Sequence, residues 1–322
     1  MALETSEPAK RARIAAIDAA RGVALAGMVV YHLIWDFAHF GLIAPTLPFA
    51  PATRALSHVV AGAFLALVGV SLALAHPHGL RRAAFLRRLA AIAGAAALVT
   101  AASYAIDADE PILFGILHCI AASSLIAALF VAAPAWAALA VGAAAIAAPF
   151  VYSSPAVNPP ALVWLGLGTL PPYTLDWRPL LPWAGVVLIG LGLAQAAAAR
   201  LAGWRWTAWR PMRWPGRATA FAGRHSLVLY LVHQPILFGL LWSVVTATGL
   251  EDRQARAAYL AACPSACIAR GGDAAICAKA CACVAERAEA AGLSLSAART
   301  EAGGELEKRL RDVVETCSLE AR

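Results

Sequence analysis

Charge is scarce in this chain. Asp, Glu, Lys and Arg make up 14% of its 322 residues against 61% hydrophobic residues, and the mean hydropathy is +0.69. Such a composition argues against a soluble two-domain enzyme. Cysteine is nearly missing from the first 260 residues, where Cys119 stands alone, and histidine is missing from the tail after residue 250. That second absence weakens any reading of the tail as a metal site. A cleavable signal peptide is also lacking, because the polar start to about Arg13 leads into an apolar run with no small-residue cleavage pattern, so the first span is expected to act as its own insertion signal. Acidic residues are few where basic ones gather: residues 1–250 carry 16 basic and 8 acidic side chains, and residues 251–322 carry 10 and 11. The net charge of +7 therefore belongs beside the apolar runs, where anionic lipid or phosphate is its counter-charge, and nucleic acid is not an expected partner.

Seven apolar runs are long enough to span a bilayer of about 20 residues' thickness: 22–43, 56–76, 89–106, 112–132, 135–152, 181–199 and 226–248. Fourteen of the sixteen Lys and Arg residues before position 250 fall in 10–21, 81–88 and 200–224, with Arg54 and Arg178 outside the pattern. Basic segments stay on the cytoplasmic side. The expected fold is thus an all-α polytopic transmembrane bundle, N-terminus in and C-terminus out, over residues 1–250. It is followed at 251–322 by a small Cys-rich helical module. Richness in Ala, Arg and Gly suggests a bacterium of high genomic GC, and hence a multi-pass protein of the inner membrane.

The tail holds Cys263, Cys267, Cys277, Cys281, Cys283 and Cys317. Each C-x3-C pair lies on one helix face, and bonds Cys263–Cys281 and Cys267–Cys277 would close an α-hairpin, with Cys283 and Cys317 available for a third. An exterior location is oxidising and favours disulfides, although the spacing alone leaves the connectivity open and C-x-C at 281–283 could chelate. The module is expected to serve interaction, with a homodimer or a periplasmic partner, rather than catalysis.

Ionisable groups inside a span are costly and mark function. Asp18 and Arg21 stand at i, i+3 at the inner edge of the first span. His32 follows eleven residues on, and Asp36 at i, i+4 from it is placed to fix its tautomer and raise its basicity, an arrangement suited to a general base. His118 lies at similar depth in the fourth span. In the last span His225 sits near the cytoplasmic edge, His233 and Gln234 near the midplane, and Pro235 kinks the helix. Arg81, Arg82, Arg87 and Arg88, together with the aromatic and cationic alternation Trp204-Arg205-Trp206, Trp209-Arg210, Arg213-Trp214 and Arg217, form a membrane-interface segment or hold the phosphates of a cytosolic cofactor. Outside, the loop 153–182 with Asn158, Tyr173, Asp176 and Trp177 is long enough to cover a site.

The ordered set Ile17-Asp18-Ala19-Ala20-Arg21-Gly22 to Tyr31-His32, Phe64 to Leu72, Phe114-Gly115-Ile116-Leu117-His118, Leu181-Pro182-Trp183, and Arg224-His225-Ser226 to His233-Gln234-Pro235 resembles the bacterial branch of the heparan-α-glucosaminide N-acetyltransferase family over about residues 14–245. The resemblance implies that cytosolic acetyl-CoA, or another acyl-CoA, binds at the inner face and that its acyl group passes to an amine or hydroxyl of a saccharide outside. By position, Arg21 would belong to the cofactor side and His32 to the acyl-transfer centre. Lysosomal members have a further histidine in the first external loop that no residue here matches, so the second catalytic group is sought among His118, His39 and His58, and heparan itself is not expected as acceptor. The working assignment is His32, Asp36 and His118 as catalytic, with His32 deprotonating the acceptor or transiently carrying the acyl group. Arg21, Arg81, Arg82, Arg224 and His225 would bind the donor, and Tyr173, Asp176, Trp183, His233 and Gln234 the acceptor. No metal is expected. A transporter or channel with a polar intramembrane path is the alternative; a b-type haem or quinone protein would need two histidines on each of two helices, and only the last span supplies two.

Overall fold

The computed structural model describes residues 14–201, 209–293, 295 and 305–321. Lys10, Arg11 and Arg13, and the stretch Trp204-Arg205-Trp206, lie outside them. Among the described residues the regular structure is helical, with a single isolated bridge between Pro77 and Gly79. The helices are α1 (Ala15–His39), α2 (Pro51–Ala75), α3 (Arg82–Ile106), α4 (Ile116–Leu129), α5 (Ala135–Val151), the single turn α6 (Pro160–Val163), α7 (Leu180–Leu201), α8 (Trp214–Arg224), α9 (Ser226–Thr248), α10 (Leu250–Ala269), α11 (Ala274–Ala290) and α12 (Glu305–Glu320).

Five of these, α1, α2, α3, α7 and α9, are long and apolar enough to cross a membrane. The fourth and fifth apolar runs form shorter helices of 14 and 17 residues, which at 1.5 Å per residue fall below the roughly 30 Å of a hydrocarbon core. The fourth run begins late for a visible reason. Pro111 cannot donate to a helix ladder, and residues 107–115 turn on Asp107, whose Oδ1 accepts from the amides of Asp109 and Glu110 at 2.9 and 3.3 Å.

The chain divides into two compact units: the described residues up to His32 with Phe49–Pro235, and Leu33–Pro48 with the residues from Ile236 onward. This grouping differs from a division at residue 250, where Gly249 (φ 59°) separates α9 from α10. The first unit is centred on α7, which packs on α2, α4 and α5, with Leu65, Val187, Leu188, Leu191 and Ala138 at 0–1% exposure. Its helices approach backbone to backbone through glycine. A Cβ on Gly69 would lie 2.0 Å from the Val187 carbonyl oxygen, one on Gly190 2.3 Å from that of Ala66, and one on Gly185 2.5 Å from that of Gly142. Within hydrocarbon, where burial of apolar surface adds little, such small-residue contacts supply the packing.

In the second unit α10, α11 and α12 bring three cysteine pairs to disulfide distance: Cys263–Cys281, Cys267–Cys277 and Cys283–Cys317, with Cα separations of 5.9, 5.8 and 5.7 Å. The first two are the pairs that would close an α-hairpin, a connectivity that the spacing alone left open. Asp273 caps α11, accepting from the amides of Ala275 and Ile276 at 2.9 and 3.2 Å, a favourable N-terminal arrangement. The core is small, with Cys277, Cys281, Val284, Ala285, Ala288 and Cys317 almost fully covered.

Candidate active site

The first unit contains a cavity of about 790 Å³ whose wall carries four arginines, Arg21, Arg81, Arg88 and Arg224. They come from the N-terminal third of α1, the cap and second turn of α3, and the end of α8. The helices that bring them together again meet at glycines: a Cβ on Gly22 would lie 1.9 Å from the Thr219 carbonyl oxygen, and one on Gly223 1.7 Å from that of Asp18. One buried carboxylate faces this cationic wall. Asp18, 5% exposed, accepts from Arg21 Nη1 at 2.9 Å, while its other oxygen lies 4.0 Å from Arg224 Nε. Arg21 Nη2 donates to Ser71 Oγ, which itself donates to the Leu67 carbonyl. One carboxylate among four guanidinium groups leaves the cavity cationic, and a polyanion is the ligand that would balance it.

Apart from the arginines the lining is largely apolar, with Phe64, Val68, Ile92, Ile116, Leu117 and Ile120, and it includes Tyr230. Next to Tyr230 comes His233. Its Nδ1 lies 2.7 Å from the Tyr230 carbonyl oxygen, an atom that only accepts, so Nδ1 carries the proton and Nε2 is the basic nitrogen. The His233 ring meets His32 edge to face with centroids 5.0 Å apart. The structure thus pairs the two imidazoles, a contact between residues 201 positions apart that sequence spacing could not suggest. His32 and His233 are both partly covered and neither forms the cavity wall. Gln234 is also half-buried. Asp36 is 3% exposed and falls in the second unit, so its link to His32 rests on sequence spacing alone.

His118 has both ring nitrogens engaged. Nδ1 accepts from the Gly115 amide at 3.3 Å, and Nε2 lies 3.2 Å from Thr100 Oγ1, which donates to the Ile112 carbonyl at 2.7 Å. Asp176 Oδ2 accepts from the Ile116 amide at 2.9 Å, so both side chains satisfy amides at the start of α4. Tyr173 is 81% exposed, and its hydrogen bond to Glu110, with the charge of that carboxylate, holds the phenol pKa above its ordinary value. Arg82 and His225 are exposed and outside the cavity lining; His225 Nδ1 bonds the Phe221 carbonyl oxygen at 3.0 Å and its ring packs on Phe221 with centroids 4.4 Å apart. His39 packs in the second unit on Phe40 and Phe238.

Trp183 is stacked by His58, with centroids 5.8 Å apart and planes at 24°, and Arg178 sits over the same ring at 5.9 Å. Ser71, Tyr230 and Arg178 were absent from the residues assigned on sequence grounds, and Arg88 was named there only as one of a basic run and left out of the donor-binding assignment. A signal for Arg88 did exist: it stands seven residues, two helical turns, beyond Arg81, whereas Arg82 and Arg87 point to other sides of α3.

The model of a family described as "Heparan-alpha-glucosaminide N-acetyltransferase, catalytic" fits residues 13–235, well over half of the chain. Neither a curated protein nor a solved structure matches it.

Proposed function

The chain belongs to the heparan-alpha-glucosaminide N-acetyltransferase catalytic family, and from that premise we propose that it is a membrane acyltransferase that takes acetyl from cytosolic acetyl-CoA and delivers it to an amine or hydroxyl of a saccharide outside a bacterial inner membrane. The observation that carries this reading is the cavity, whose wall combines four arginines, a set of apolar side chains and Tyr230, the residue whose carbonyl holds His233 against His32. Its size lies within the range of small-molecule sites. Arginines suit the phosphates of CoA, which they can bind bidentately, and the apolar lining suits the uncharged pantetheine arm.

In this reading His32 removes the proton from the acceptor as its nitrogen or oxygen attacks the thioester carbonyl carbon. The carbon–sulfur bond breaks, and the thiolate of CoA leaves and is protonated. His233, with its basic nitrogen fixed by the Tyr230 carbonyl, passes the proton on. His118, occupied at both nitrogens, holds the start of α4. The orientation follows from the basic flanks: the arginines inside, the α5–α7 loop and the cysteine-rich tail outside, with α4 and α5 completing seven crossings.

The test uses inside-out vesicles, with labelled acetyl-CoA outside and glucosamine enclosed. Label is expected in the enclosed sugar, and His32→Ala should lower the rate by about two to four orders of magnitude, the usual contribution of a positioned general base. Full activity in that variant would refute the assignment.

A further inference from the structure

Arg178 is one of two cations before residue 250 outside the three basic segments, and nothing above gives it a task. Its position is closely held. The Arg178 amide donates to the Phe114 carbonyl at 3.2 Å, the Thr174 hydroxyl to the Pro111 carbonyl at 2.7 Å, and the Leu180 and Leu181 amides to the carbonyls of Trp164 and Leu165 at 2.8 and 3.0 Å. The side chain is equally defined. Nη1 donates to the Trp177 carbonyl at 2.9 Å, Nη2 donates to the buried Ser57 hydroxyl, and the guanidinium stands over the Trp183 ring.

What is missing is an anion. No carboxylate among the described residues forms an ion pair with Arg178. A guanidinium has five N–H donors, and its two hydrogen bonds leave three without a partner among the described residues. A half-buried arginine that is held in place, with no carboxylate among the described residues within 4.0 Å and Asp176 committed to the Ile116 amide, keeps its remaining donors for a ligand. Beside it lies an indole with an exposed histidine stacked on it, and aromatic surface next to a planar fork of donors suits a sugar ring bearing an acid. Its charge also acts on His32.

We propose that Arg178, with Trp183 and Ser57, recognises a negative charge on the acceptor, so that the favoured saccharide is an acidic one carrying a carboxylate or a phosphate. This specificity rests on the acyl-transfer reading for its biological meaning, but the binding site does not.

Calorimetric titration of the purified full-length chain with glucuronic acid, glucose 6-phosphate and glucose tests it. Both acids are expected to bind at least about tenfold more tightly than glucose. Whichever acid shows the larger margin identifies the charge. Arg178→Gln should erase the margin, and Ser57→Ala, which removes one anchor of the guanidinium, should reduce it about threefold. Helical circular dichroism and monodispersity check the fold, and where Arg178→Gln fails them the decision passes to Ser57→Ala. Equal affinities for the three sugars, or a margin untouched in the folded variants, would overturn the proposal. A margin as expected in a protein that transfers no acetyl supports the site and sinks the acyltransferase reading; transfer without any margin does the opposite.

Discussion

The two units are held together by different means. In the first, helices touch at glycines, so that Gly22, Gly69, Gly185, Gly190 and Gly223 each leave no room for a Cβ, and the only cysteine, Cys119, is buried and unbridged. In the second, three short helices with a small core are stapled by three cysteine pairs whose loops span 18, 10 and 34 residues. The contrast follows from the surroundings each composition implies. A helix in hydrocarbon gains little from hiding apolar side chains and must gain from close fit. A small module in water lacks the area for a self-sufficient core and is cross-linked instead.

The comparison breaks most visibly at the glycines. Gly69→Leu would drive a side chain into the Val187 carbonyl and the Leu191 amide, both backbone atoms that cannot step aside. We expect more than about 3 kcal/mol of destabilisation, beyond ordinary overpacking, seen as loss of monodisperse protein after extraction. A Gly69→Leu variant that elutes and melts like the parent would remove the close-fit argument. The second unit should fail more gently. A loop of this length contributes about 3 kcal/mol through the unfolded chain, so Cys263→Ser with Cys281→Ser should lower the melting point of the tail and expose it to protease while CoA binding persists. Loss of CoA binding in that variant would mean that the two means of cohesion are not separable.

The legible part of the fold was whatever depends on neighbours in sequence. Apolar runs located the long helices, basic flanks marked the arginine wall, and the i, i+4 cysteines pointed to a cross-linked hairpin without fixing which cysteine meets which. The illegible part depends on contacts made far along the chain. His118 and Asp176 both serve the start of α4, from positions 58 residues apart, and the His32–His233 contact spans most of the first unit. Arg82 and Arg88 show the intermediate case, since both lie in a basic run that composition marks at once, while only helical phase separates the one that lines the cavity from the one that does not.

That phase sharpens the picture at a smaller scale. Arg88→Gln removes one cationic contact from the cavity and should weaken CoA binding about tenfold, near 1.4 kcal/mol. Arg82→Gln, which changes an exposed side chain, should change it less than about twofold. Equal losses in titrations of the two variants would mean that the basic run attracts the ligand as a diffuse patch and not through a shaped site.

The smallest expected effect is at His76, just past the end of α2. It is buried, and its Nδ1 accepts from the Arg81 amide at 3.1 Å. Burial first, and then the charges of Arg81 and Arg88, hold its pKa below the ordinary value. As pH falls below about 6.5, the unfolded chain binds a proton at this residue before the folded one does. The stability present above that pH is therefore lost as the solution is acidified toward the depressed folded value. Melting curves from pH 7.5 down to 5.5 should show a shallow decline that His76→Gln flattens. CoA adds a second condition: its phosphates would offset the Arg81 and Arg88 charges, raise the folded pKa toward the ordinary one and reduce the slope. A slope indifferent to CoA would show that the two arginines do not share the ligand's charge, and would confine the binding site to Arg21 and Arg224.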